Sequence, residues 1–137
     1  MSRITVPRLR AEAKKQLLCY RKNKTRAGRA EYQRSHGTDP SGWVRAVDEA
    51  RAYFHATDLT KERFMVRLFG LETPLPRSRS TRERMMKLAM ELCVSESTLY
   101  KWREDVLEIV LYAAIDAGVV SPFGLRGEAE KASGRNG

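Results

Sequence analysis

Within the run Ser95-Glu96-Ser97-Thr98-Leu99-Tyr100-Lys101-Trp102-Arg103 stand three aliphatic hydroxyls, a phenol, an ammonium and a guanidinium. These groups donate and accept hydrogen bonds and carry positive charge, which is the chemistry of recognising a polar surface. No covalent chemistry is visible beside them. The chain has no glycine-rich phosphate loop before a helix, no metal ligands at i, i+4, and no Ser/His or Cys/His set in a supporting context. Asp48 with Glu49, and Glu104 with Asp105, are neighbours in sequence and so point in different directions on a helix, as solvated charges do. An enzyme is not expected, nor a cofactor.

The elements that must position this run can be read on both sides of it. Residues 81–92 show Met85, Leu88, Ala89 and Leu92 at helical spacing, with Arg82, Glu83, Arg84 and Lys87 on other faces. Ser80 followed by Glu83 has capping-box spacing, with Thr81 as the alternative cap. Ser95 is a second N-cap, after which Leu99, Trp102, Val106 and Val110 form one stripe. Two helices thus meet across about three residues, the short connection of a helix-turn-helix. Ala89 is small enough for a close crossing, and Leu88, Leu92, Val94, Leu99 and Trp102 are expected to fill the angle. Cys93 occupies the turn position where glycine relieves a positive φ.

With that stripe buried, Ser95, Glu96, Ser97, Thr98, Tyr100, Lys101 and Arg103 are left near the exposed start of the second helix. In this motif that end enters the major groove of duplex DNA. Arg103 or Lys101 would donate to guanine, Ser97 and Thr98 would bond bases or phosphates, and Tyr100 would pack on a sugar or a thymine methyl. Arg82 in the first turn of the preceding helix, with Arg77 and Arg79 in the loop before it, are flanking candidates for phosphate; the two loop arginines are equally readable as solvated. The same hairpin with a solvated face would also serve protein contacts.

Charge is placed unevenly. The chain carries a net charge of +9, and residues 1–34 hold 11 Lys and Arg against only Glu12 and Glu31, so the remainder sums to zero. A basic segment joined to a neutral body reads as a helical arm that gathers phosphate contacts while another element selects sequence. A solvated helix, an RNA-binding segment and an anionic-surface binder share that charge pattern. Leu9, Ala13, Leu17 and Leu18 make only a modest apolar face, and no long apolar run or signal-like segment occurs, so no membrane partner is expected and the location is expected to be cytoplasmic. Cys19 and Cys93 are expected to be reduced, and with His36 and His55 they lack zinc-ligand spacing.

The expected architecture is all-α: a small helical domain with a C-terminal helix-turn-helix and a long recognition helix. Its divisions are a basic arm over residues 1–34, a linker over 35–42, a DNA-binding body over 43–123 with the helix-turn-helix at 81–117, and a flexible tail over 124–137. Pro7 opens a helix to about Tyr20, and Asn23 to Arg34 stays helix-compatible. Trp43, Val47, Ala50 and Phe54 define the next helix, and Phe64, Met65, Leu68 and Phe69 another that Gly70 ends. The final helix is apolar on two sides, Val106, Ile109, Val110 and Ala113 on one and Leu107, Leu111, Ala114 and Ile115 on the other. One side suits the body; the other suits the N-terminal helix or a second subunit, so a homodimer stays open. Gly118 supplies a stop, after which Val119 to Phe123 folds back.

The order AVDEARAYFHATDLTKERFMVRLFG, a linker, then TRERMMKLAMELCVSESTLYKWREDVLEIVLYAAIDAGVVSPF resembles the phage and prophage late-gene transcriptional regulators of the ArpU and RinA type, over roughly Trp43 to Phe123. The segment VSESTLYKWREDVL is similar to the region-four-like helix-turn-helix of sigma factors as those regulators carry it. The resemblance implies a DNA-binding activator of packaging, structural or lysis genes; RNA polymerase stays open as a further partner, and is the contact expected if the chain is instead an adaptor. It also implies a recognition segment from Ser95 through Arg103, anchored by Leu99 and Trp102. A small terminase-like DNA-recognition subunit and a protein-interaction adaptor are the alternatives.

Overall fold

A computed structural model describes residues 7–75, 80–121 and 124–125. The fold is all-α. Its helices are α1 (Pro7–Leu18), α2 (Tyr20–Asn23), α3 (Arg26–His36), α4 (Ser41–Thr57), α5 (Leu59–Phe69), α6 (Thr81–Leu92) and α7 (Glu96–Asp116). Two residue pairs, β1 (Val120–Ser121) and β2 (Gly124–Leu125), form a minimal antiparallel ladder in which Val120 faces Leu125 and Ser121 faces Gly124. The expected fold-back after Gly118 thus ends in backbone pairing, and the chain at 124–125 is a strand rather than the start of a tail. Residues 126–137, the rest of the expected tail, lie outside the described residues.

Helix ends follow local chemistry. Ser80, Ser95, Thr25 and Asp58 each accept a hydrogen bond from the backbone N–H three residues on, giving otherwise unpaired first-turn donors a partner. Asp39 does related work for α4, its Oδ1 accepting from Ser41 N at 2.7 Å while its Oδ2 meets Arg29 at 3.1 Å. Gly70 and Gly118 stop α5 and α7 in the left-handed region, at φ 66° and 76°. At the end of α6 Cys93 takes that conformation, with φ 57° and ψ 43°, as the only non-glycine residue at positive φ among those described. Val94 N then donates to Ala89 O at 3.1 Å and Cys93 N reaches Met90 O at 3.4 Å, the paired bonds of a Schellman stop.

The core gathers around α7. Val106, Leu107, Val110, Leu111, Ala113 and Ala114 are buried within the one chain, and Ile109 and Ile115 are half-buried, so most of both apolar sides of the final helix is covered internally. α4 runs antiparallel to α7. A Cβ on Gly42 would sit 2.3 Å from Val119 Cγ1, and at the other end Phe54 and Trp102 share the ammonium of Lys61, each ring centroid 5.9 Å away.

The N-terminal segment departs from the sequence reading. Leu9, Ala13 and Leu17 are fully buried in the same core, and α1 packs on α7 and α4. Residues 7–34 are therefore part of the body and not an appended arm: an apolar stripe that looked modest in isolation is what covers the second side of α7. The helix is also interrupted after Leu18. The α2–α3 turn depends on Gly28, where a Cβ would lie 1.9 Å from Lys22 O, a distance no larger residue accommodates without displacing backbone. Asn23 and Gln16 are buried here and satisfy each other, Asn23 Nδ2 donating to Gln16 Oε1 at 2.9 Å while Gln16 Nε2 donates to Glu12 at 2.8 Å. α4 begins at Ser41, ahead of the expected Trp43, because Asp39 supplies its first acceptor.

Two outcomes test these local arguments. Cys93→Gly should stabilise the protein in urea denaturation by about 1 kcal/mol, because a side chain in the left-handed region costs about that much; a loss would mean that the contact of Sγ with Met90 O outweighs the strain. The Ser41 backbone bond first, then Arg29, lower the Asp39 pKa from its ordinary value of 3.8. A depressed carboxylate contributes stability that is present above its unfolded pKa and is lost as pH falls through the folded one. Melting temperatures of wild type and Asp39→Asn should therefore differ near neutrality and converge as pH drops through 3.8 and below; a gap that persists in acid would exclude the charge as its source.

Candidate nucleic-acid interface

α6 and α7 are joined by Cys93, Val94 and Ser95, and the wedge between them is filled largely as the apolar spacing requires. Met85, Leu88, Ala89 and Leu99 are buried, while Leu92, Val94 and Trp102 are half-buried against the same core. Trp102 is thus an edge anchor, not the fully buried one expected. Its ring meets Phe64 edge-on, centroids 5.9 Å apart, and its outer face carries Lys61.

Glu96, Ser97, Tyr100 and Lys101 are exposed at the start of α7, and Arg82 is exposed at the start of α6. Ser95 is exposed but engaged: its Oγ accepts from Thr98 N at 3.1 Å and lies 2.8 Å from Thr98 Oγ1 and 3.1 Å from Ser97 Oγ. Thr98 is correspondingly half-buried. Arg103 is half-buried too and folded along its own helix, its guanidinium 5.1 Å from the Tyr100 ring centroid and Nε 3.7 Å from Glu104. The exposed polar groups brought together at this end are therefore Ser97, Tyr100 and Lys101, with Arg103 beside them in a stacked pose. Arg77 and Arg79 lie outside the described residues.

Two cations that the sequence reading did not single out complete the electrostatics. The start of α7 is followed by Glu104, Asp105 and Glu108, which would repel a phosphate chain. Arg10 on α1 pairs with Glu104 and sits 3.8 Å from Glu108, and Lys61 on α5 meets Asp105 at 3.1 Å. Glu108 is buried and also takes a hydrogen bond from Tyr112, which raises the Tyr112 phenol above its ordinary pKa. No local signal marks Arg10 or Lys61, since both partners come from helices remote in sequence. Arg84, expected on an outer face of α6, is half-buried; burial lowers its pKa, and its Nη2 has no hydrogen-bond partner among the described residues.

Among the described residues no group of three or more His, Cys, Asp or Glu could hold a metal ion, and no helix is long and apolar enough to cross a membrane. Cys19 and Cys93 are free thiols. Comparisons with protein-family models, curated proteins and solved structures return no match.

Because Trp102 packs on one edge only, Trp102→Ala should destabilise the chain at the low end of the range for large aromatic truncation, about 3 kcal/mol. Equal denaturant midpoints for variant and wild type would show that the ring's contacts with Phe64 and Lys61 contribute nothing.

Proposed function

We propose that this chain is a sequence-specific DNA-binding transcription regulator whose α7 enters the major groove by its N-terminal end. The observation that carries the reading is the three-residue α6–α7 turn, with its inner faces buried and Ser97, Tyr100 and Lys101 left exposed on the first turns of a 21-residue helix. Lys101 supplies a donor suited to guanine, Ser97 a hydroxyl for base or phosphate, and Tyr100 a flat apolar surface with a polar tip. The helix N-terminus adds partial positive charge toward phosphate. Resemblance to late-gene regulators of the ArpU and RinA type fits this use of the two helices, and gives activation of phage or prophage genes as the biological setting.

A second reading, an adaptor that contacts RNA polymerase or another protein, draws on the outer face of α6. Met86 and Met90 stand one helical turn apart there, and Met90 is 78% exposed. Capture of polymerase that survives nuclease treatment, and that Met86→Ser with Met90→Ser abolishes, would favour the adaptor.

Selection of bound duplexes from a random pool should yield one enriched core sequence. On that sequence, Lys101→Ala and Tyr100→Ala should each weaken binding by about 1–3 kcal/mol while leaving thermal unfolding unchanged, since both side chains are exposed. Recovery of no enriched sequence, or full affinity in both variants, would remove this assignment of α7.

A further inference from the structure

α1, α2 and α3 carry most of the net positive charge of the chain. Lys22 pairs with Glu31, Arg29 with Asp39 and Arg10 with Glu104, whereas Lys14, Lys15, Arg21, Arg26 and Arg34 make no ion pair among the described residues. All five are exposed. Lys24 is used internally, lying 3.3 Å from Tyr20 Oη and over the Tyr20 ring.

Two contacts fix where this surface lies. Ser97, Lys101, Glu104 and Glu108 follow i, i+4, i+7, i+11 spacing and share one stripe of α7. Arg10 sits on Glu104 and Glu108, so α1 covers the continuation of the very stripe whose first two members are exposed. Tyr20 then donates a hydrogen bond to Asp48, midway along α4. Since Phe54 stands opposite Trp102 and Gly42 opposite Val119, Asp48 lies near the level of Leu111. At 1.5 Å per residue, the start of the α2–α3 lobe is about 15–20 Å from Lys101 and Ser97 along the helix axis.

We propose that the exposed cations of α1–α3, with Arg21, Arg26 and Arg34 at their centre, form a second phosphate-binding surface for duplex DNA, beside α7 and set back about 15–20 Å along the α7 axis from the side chains that read bases. The proposal rests on the DNA-binding reading of α7. Charge complementarity selects the occupant: unpaired cations on the helices beside α7 suit the phosphates of the duplex that α7 engages. The surface takes its geometry from Leu9, Ala13 and Leu17, which hold α1 in the core, and from Tyr32, which packs α3 against it. It therefore extends the footprint instead of only attracting DNA from a distance.

The test uses the full chain and a triple variant, Arg21→Ala with Arg26→Ala and Arg34→Ala, whose side chains are exposed and whose thermal melt should match wild type. Two probes carry the core sequence enriched by wild type: a duplex of about 10 base pairs, and one of about 25 that continues past the core on both sides. On the longer duplex the variant should bind at least about tenfold more weakly, with a log-affinity against log-salt slope shallower by about 2.7, or about 0.9 for each of three contacts. On the shorter duplex both proteins should bind alike. Equal affinity and slope on the longer duplex would overturn the proposal while leaving α7 intact. Equal losses on both lengths would overturn it as well, reducing the lobe to unspecific attraction. Absence of wild-type binding to either duplex would instead remove the reading of α7 on which it stands. Tighter, lobe-dependent binding of single-stranded RNA or anionic vesicles than of duplex would assign these cations to another partner and overturn it.

Discussion

A 21-residue helix that is apolar around most of its circumference over its last three turns cannot remain in water, and the covering of α7 governs where everything else goes. α4 lies antiparallel along one side and α1 along another, while α5 and α6 close the N-terminal end. Once Val106, Val110, Leu111 and Ala114 are enclosed in this way, the first turns of α7 are the stretch left most open to solvent. The exposed end is therefore a consequence of how far the apolar surface extends: Leu99 is the last fully buried residue toward the N-terminus, and Ser97, Tyr100 and Lys101 lie around it with no helix above them.

The same covering settles a conflict of charge. α7 carries Glu96, Glu104, Asp105 and Glu108, a sequence that is a poor neighbour for phosphate. Glu96 stands in the first turn, where it stabilises the helix through the macrodipole. The other three meet Arg10 and Lys61 from the helices that do the covering. Partly exposed pairs of this kind contribute little to stability, about 0–1 kcal/mol each. Their larger effect is on the field, since two cations offset most of the charge of three acids and so reduce the repulsion of phosphate beside Lys101 and the helix N-terminus.

Much of this was legible in residue order, for local reasons. Ser80 with Glu83, Ser95 with Thr98, Gly70 and Gly118 are capping signals that act within one turn, and the structure puts helix ends at each. The 3.6-residue recurrence of Phe64, Met65, Leu68 and Phe69 likewise gave α5 its buried face. What sequence could not deliver were relations between remote segments. Leu9, Ala13 and Leu17 show an apolar stripe, but its significance depends on the second apolar side of α7 needing a cover, and a charge count over the same residues pointed toward a separate arm. At the candidate interface, the identity and exposure of Ser97, Tyr100 and Lys101 followed from the helical stripe. The seating of Arg10 and Lys61, the half-burial of Trp102 and Arg84, and the stacking of Arg103 on Tyr100 depend on tertiary neighbours that no spacing rule encodes.

Folding the basic segment into the core changes what its charge can do. A flexible basic tail loses conformational freedom when it settles on a partner, so part of each contact is spent on ordering the chain. Here the backbone of α1–α3 is already ordered by Leu9, Ala13 and Leu17, by the Gln16–Asn23 pair and by the close approach at Gly28. Only side-chain rotamers remain to be fixed on contact. Ordering also narrows selectivity: a tail adapts to any anionic surface, whereas cations held at a set distance from the end of α7 match only partners whose charges recur at that distance. The apolar residues that stabilise the fold are thereby the ones that give a diffuse positive charge a definite geometry.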